Sequence, residues 1–232
     1  MRIKTGLTII IILVLVQASL AQRSVPKNIP AFDNQTFRFG YSIGVNWMNF
    51  TMDETYRDTF QLDLQQHPGI NVNLITSLRL RKFLDLRFTP GIQFSQRDIK
   101  VTRKGSIPEA WDAKVESVYF EMPFLLKYRA QRVNNYAPFL IAGIAPKFDL
   151  TGGEIENWKP VKRLVKAFDI FPELGVGIDF YTQKVKVAME LKFSVGLLNV
   201  YRNPGEDQEY DLYNNGVQRL MSRMVILSVQ IQ

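Results

Sequence analysis

Between Val185 and Leu197 the chain reads VKVAMELKFSVGL. Its odd positions, Val185, Val187, Met189, Leu191, Phe193, Val195 and Leu197, are all apolar. Its even positions, Lys186, Ala188, Glu190, Lys192, Ser194 and Gly196, are all small or polar. A period of two is that of a β-strand, whose successive side chains point to opposite faces. The stretch predicts a strand with one greasy face and one charged face. Few folds accommodate both.

The pattern recurs. Residues 37–47 set Phe37, Phe39, Tyr41, Ile43, Val45 and Trp47 against Arg38, Gly40, Ser42, Gly44 and Asn46. Residues 84–94 set Leu84, Leu86, Phe88, Pro90, Ile92 and Phe94 against Asp85, Arg87, Thr89, Gly91 and Gln93. Segments 70–80 and 168–180 alternate similarly, with Thr76 an exception in the first. Segments 115–130, 137–150 and 219–231 do so less cleanly. Eight strands result. Short connectors, at about 81–83, 131–136 and 181–184, alternate with long polar ones at about 51–69, 98–114, 151–166 and 200–218. An even number of crossing strands, with short turns at one end and long loops at the other, describes an up-and-down transmembrane β-barrel. Each strand has the ~9–11 residues a tilted crossing needs. The expected fold is therefore all-β: an eight-stranded antiparallel up-and-down transmembrane β-barrel with short periplasmic turns and four longer extracellular loops.

The rival is a soluble eight-stranded barrel, which turns its apolar face inward. The distribution of size favours the membrane form. Large Phe, Leu, Val and Trp side chains hold one face, whereas Gly and Ala sit among the charges of the other, as a narrow interior requires. Aromatic residues gather at strand ends, with Phe37, Tyr128, Phe180 and Tyr181 towards the periplasm and Trp47, Phe148 and Phe168 at the far side. Such girdles mark membrane interfaces.

Eight strands enclose a bore that side chains can fill. The face expected to point inward carries Arg38, Arg79, Asp85, Arg87, Glu121, Lys127, Lys147, Asp169, Glu173, Asp179, Lys186, Glu190 and Lys192. Buried charges must be paired, and the two signs here nearly balance. A plugged lumen is expected; a small-solute channel is the alternative. Within SVYFEMPFLLKYR (117–129), Glu121 is expected to meet Lys127, Arg87 or Lys147. Pro123 lacks a ladder donor, so a local bulge or a water-served carbonyl is expected there.

The chain opens MRIKTGLTIIIILVLVQASLA. A basic start, an apolar run and small residues before Gln22 predict a secretory signal peptide over 1–21. A short periplasmic segment, 22–36, and the barrel, 37–232, would follow. The formal charge of +7 fits solvated loops and lumenal pairs without invoking nucleic acid. There is no Cys and a single His, His67, which rules out thiolate chemistry and multi-His metal centres. His67 precedes Pro68-Gly69, a turn signal, and is expected on a solvated loop. No G-x-S-x-G, P-loop or G-x-G-x-x-G occurs. The acid pairs Asp53-Glu54 and Glu206-Asp207 could meet calcium but are expected to be solvated. The sequons at Asn34 and Asn49 are read as chance. No catalytic, cofactor-binding or metal-binding residue is expected.

The segment ESVYFEMPFLLKYR (116–129) resembles the Tyr-x-Glu-x-Pro-x-x-x-Lys-Tyr signature of small outer-membrane barrels typified by the PorT family. FDNQTFRFGYSIGVNWMNF (32–50), LRFTPGIQFSQRDI (86–99), NNYAPFLIAGIAPKFDL (134–150), FDIFPELGVGIDFY (168–181) and ELKFSVGLLNV (190–200) are similar to the same family. The resemblance covers about residues 32–231. It implies a non-enzymatic accessory of the type IX secretion system, which exports cargo to the cell surface and in some bacteria supports gliding. It implies no site residue. A generic adhesin or envelope anchor, or an outer-membrane lipid-modifying enzyme, are the competing readings. The expected partners are outer-membrane lipid and other proteins of the secretion system; no nucleic acid and no small-molecule substrate is expected. The ending Val229-Gln230-Ile231-Gln232 lacks the terminal aromatic of many outer-membrane barrels.

Overall fold

The alternating segments close into a ring. The computed structural model describes residues 26–53, 60–103, 109–151, 154–155, 165–203 and 219–232. After a short 3-10 turn at Pro30–Asn34 come β1 (Phe37–Asp53), β2 (Phe60–Gln66), β3 (Pro68–Arg81), β4 (Leu84–Phe88), β5 (Gly91–Arg103) and β6 (Glu109–Glu121). Then follow β7 (Phe124–Arg129), β8 (Tyr136–Asp149), β9 (Glu154–Ile155), β10 (Phe168–Tyr181), β11 (Lys186–Val195) and β12 (Arg219–Ile231). Around the ring the order is β1, β12, β11, β10, β8, β7, β4 and β3. β3 pairs with β1, so no edge is left there. The first and last strands meet along their length, from Tyr41 opposite Ile231 to Asp53 opposite Arg219. The expected signal peptide, 1–21, lies outside the described residues.

Twelve strand segments make eight staves, because three staves are interrupted. β2 runs into β3 across His67, β4 into β5 across Thr89-Pro90, and β6 into β7 across Met122-Pro123. β9 adds only two residues beside β6. Two of the breaks are adjacent: Phe88 stands opposite Phe124, and Gly91 opposite Glu121. The prolines between cannot donate to the ladder. The backbone is served otherwise. Thr89 N–H donates to the Pro123 carbonyl (3.1 Å), Leu74 N–H to that of Pro90 (2.9 Å) and Met122 N–H to that of Pro146 (3.0 Å). Pro123 therefore marks a break shared by neighbouring staves rather than an isolated bulge. Neither break changes side-chain parity. Asp85, Arg87, Gln93, Ser95 and Arg97 stay inside on one stave, and Glu121, Leu125, Lys127 and Arg129 on the next.

Two of the expected loops are largely strand. Within 51–69, β1 continues to Asp53 and β2 begins at Phe60. Within 98–114, β5 reaches Arg103 and β6 starts at Glu109. The local sequence accounts for this. Phe60, Leu62 and Leu64 alternate with Gln61, Asp63 and Gln65. The β5–β6 register runs on without a shift, from Ser95 opposite Ser117 to Arg103 opposite Glu109. The 17 residues of β1 span roughly 55 Å at about 3.3 Å each. Even tilted by ~45°, that exceeds an apolar band about 25 Å tall. The wall thus stands beyond the membrane on the extracellular side. His67 lies at the β2–β3 break rather than on a loop; its Nε2 is 2.9 Å from Asp98 Oδ2.

The exposure pattern is inside out relative to a soluble protein. Phe39 is 70% exposed, Leu74 66% and Leu174 64%, whereas Arg87, Glu121, Lys147, Glu173 and Asp179 are fully buried. The apolar face lies outside, against lipid. One girdle residue is misplaced by the sequence reading. Tyr181 has the opposite parity to Phe180 and is buried at the periplasmic end of the bore.

Candidate functional site: a lumen filled with ion pairs

The interior is built from inward-facing residues of all eight staves and from the segment that precedes them. Its periplasmic end is stoppered by the turn at Pro30–Asn34. Phe32 is buried and packs with Ala137 and Tyr181, its ring edge-on to Tyr181 at 6.1 Å. The Arg38 guanidinium lies 5.5 Å and the Lys186 ammonium 4.9 Å from its centroid. Asp33 accepts from Arg129 (3.1 Å) and Arg132 (3.3 Å). Arg129 also donates to the Tyr181 hydroxyl at 2.8 Å. Arg132 lies over the Tyr181 ring at 3.8 Å and donates to the Asn28 carbonyl at 2.5 Å. The segment expected only to sit in the periplasm is thus part of the barrel's closure.

Above the stopper the charges pair in tiers. Arg38 Nη2 is 2.5 Å from Asp85 Oδ2. Lys127 Nζ donates to both oxygens of Asp179 at 2.8 Å, and Lys186 approaches the same carboxylate at 3.7 Å. Arg87 donates to Glu190 at 2.6 Å. Higher still, Lys147 bridges two carboxylates, Glu121 at 2.7 Å and Glu173 at 3.4 Å. Glu173 also accepts from Lys192 (3.1 Å) and Ser194 (3.2 Å), and Glu121 from Asn73 (2.5 Å). Aromatic rings lie among the cations. The Phe139 ring faces Lys127 at 3.5 Å, Phe171 faces Lys147 at 4.9 Å, and Phe50 faces Arg97 at 4.0 Å. Each ring presents its negative face to a desolvated cation.

Twelve of the thirteen residues expected inside are at most 5% exposed. The partner of Glu121 is Lys147, one of three foreseen. Arg79 is the exception. It has lumenal parity but stands at the periplasmic rim, half-exposed, donating to the Lys82 carbonyl at 3.3 Å. The strand ends there, so parity no longer implies burial. Asp169 is inside, yet its Oδ1 is served by backbone: the amides of Ile170 (2.7 Å) and Leu198 (3.0 Å) donate to it. Arg129, of lumenal parity in 117–129, is buried as that parity implies, whereas Arg97, Arg132, Asp33 and Asp149 are inside without having been expected there. Strand parity could have found Arg97 and Asp149. Nothing periodic marks Asp33, whose position depends on a tertiary fold-back.

The chemistry this allows is charge neutralisation. A carboxylate or ammonium stripped of water costs several kcal/mol, offset only by close partners. Each tier supplies them from different staves and so links the wall across the bore. His67 sits with Asp98 well above these tiers, both side chains about 40% exposed. Glu54, Glu206 and Asp207 of the two acid pairs lie outside the described residues.

A family model described as "Outer membrane protein beta-barrel domain" matches residues 20–202. No curated protein matches the chain in sequence. Among solved structures, it is similar to the outer membrane protein OprG of Pseudomonas aeruginosa, with 10% identity over 84% of this chain and 93% of that one and a TM-score of 0.45. It is also similar to Neisserial surface protein A (8% identity, 85% and 99% covered, TM-score 0.42). The outer membrane enzyme PagL is a third (11%, 82% and 99%, 0.36).

Proposed function

This chain belongs to the outer-membrane β-barrel domain family, and from that premise we propose that it is a non-enzymatic component of the type IX secretion system, acting by contact with other proteins of that system. It is an outer-membrane protein. The observation that carries the reading is the bore. Tiers of ion pairs above and the Phe32 stopper below leave the surface as the part able to act. The sequence resemblance at 116–129 and along 32–200 supplies the system. Lipid is the partner of the apolar wall, and protein the partner of its two ends.

Deletion of the gene in its host tests the proposal. Cargo of the type IX route should disappear from the cell surface and accumulate in the periplasm, and the intact gene should restore it. Normal surface cargo in the deletion strain would end the secretion reading. If lipid A were altered in that strain while cargo was normal, the enzyme reading would replace it.

A further inference from the structure

The periplasmic mouth has a property that the closure of the bore does not require. Beside the stopper lies a cavity of about 240 Å³ lined by four neutral residues and by the charged Lys27, Arg79, Lys82, Arg129, Arg132 and Asp33. Five of these six charged side chains are cationic and one is anionic. At the bottom, the Arg129 and Arg132 side chains are only 5% and 6% exposed, and they share the single carboxylate of Asp33, itself 30% exposed. Asp85, which lies on the neighbouring stave, is already 2.5 Å from Arg38. The other partners of the two guanidiniums are neutral acceptors, the Tyr181 hydroxyl for Arg129 and the Asn28 and Asn134 carbonyls and Asn135 Oδ1 for Arg132. Beside Asp33 they therefore leave a positive excess, offset in part by the more distant Asp85. Arg79 near the end of β3, Lys82 on the β3–β4 turn and Lys27 on the N-terminal segment raise that excess.

We infer that this pocket binds an oxyanion, a phosphate group held among the guanidiniums and the lysine ammoniums of the periplasmic mouth. The chemistry is suitable. Guanidinium forks match phosphate oxygens, and lysine adds point charge. The cavity admits the group with several waters, each taking about 30 Å³. Arg129 follows Tyr128 of the periplasmic aromatic girdle, so the phosphate has two possible sources, a free ion or an anionic phospholipid.

The test uses the mature barrel refolded in uncharged-detergent micelles. Its thermal unfolding midpoint is followed against inorganic phosphate, with chloride holding ionic strength constant so that screening does not contribute. Wild type should show a saturable rise, as a ligand specific to the folded state produces. In the double variant Arg79→Gln, Lys82→Gln, the apparent affinity should fall at least about tenfold, the loss expected for two charge-assisted contacts. Both residues are at the rim, outside the ion-paired tiers, so the variant folds and serves as its own reference. A second arm reconstitutes wild type in phosphatidylcholine vesicles with and without phosphatidylglycerol. Stabilisation by phosphatidylglycerol that free phosphate competes away assigns a lipid headgroup; stabilisation by free phosphate alone assigns a soluble ion. If neither raises the wild-type midpoint, or if the double variant responds like wild type, the site does not exist.

Discussion

Lys147 shows what a single side chain does here. It is fully buried and holds Glu121 at 2.7 Å and Glu173 at 3.4 Å. Replacing Glu121 by Leu would add apolar volume, yet it should destabilise the barrel by about 3–5 kcal/mol, the cost of breaking a buried ion pair by removing one partner. Asn73 would also lose the acceptor of its 2.5 Å hydrogen bond. Glu121→Gln keeps the shape and an acceptor, so its loss should be smaller. Urea unfolding of the two variants in the same micelles gives the comparison; equal stability of Glu121→Leu and wild type would contradict the ion-pair account. That Glu121 faces inward was readable from parity. That Lys147 and not Lys127 meets it was not, because inter-strand register is set by turns and by the neighbouring staves, not by local composition.

At the scale of the strand, the notable feature is how the staves survive their breaks. Proline interrupts hydrogen bonding at Thr89-Pro90 and Met122-Pro123 without shifting parity, so alternation reads straight through. That is why eight periodic segments were legible although twelve are hydrogen-bonded. The extracellular extensions were less legible, since short strands of mixed charge look like polar loops until their facing register is known. The chain passes close to itself where β7 resumes. A Cβ at Gly143 would overlap the Phe124 carbonyl and lie 2.9 Å from the Leu125 Cα. Backbone cannot yield as a flexible side chain can. Gly143→Ala should cost about 1–3 kcal/mol, the range for overpacking, measured by urea unfolding. An unchanged stability would mean that the break has slack. The stopper is another element not visible in the sequence. Its entry residue, Ile29, has φ 44°, a left-handed conformation that costs a non-glycine residue about 1–2 kcal/mol. The Phe32 cluster and the Asp33 ion pairs offset that strain.

The whole molecule is a closed cylinder with a lipid-facing exterior and an occupied bore. Two measurements address it. The folded protein should migrate differently on gels before and after boiling, because a closed barrel resists detergent until heated. In planar bilayers it should produce no steady ionic conductance, since the tiers from Arg38–Asp85 to Lys147–Glu121 fill the bore above the stopper. Stable single-channel steps would show that the charges line a path instead of filling it.

The meeting of β1 with β12 has a consequence in time. Tyr41 pairs with Ile231, and the chain is made from its N-terminus, so the seam cannot shut until β12 has been delivered. Until then β1 offers an open edge, and the charges of the bore lack the ladder that fixes their partners. Loop closure over such a separation is slow. The open edge is a template for pairing with another chain, and the thirteen residues of β12 are the latch that covers it.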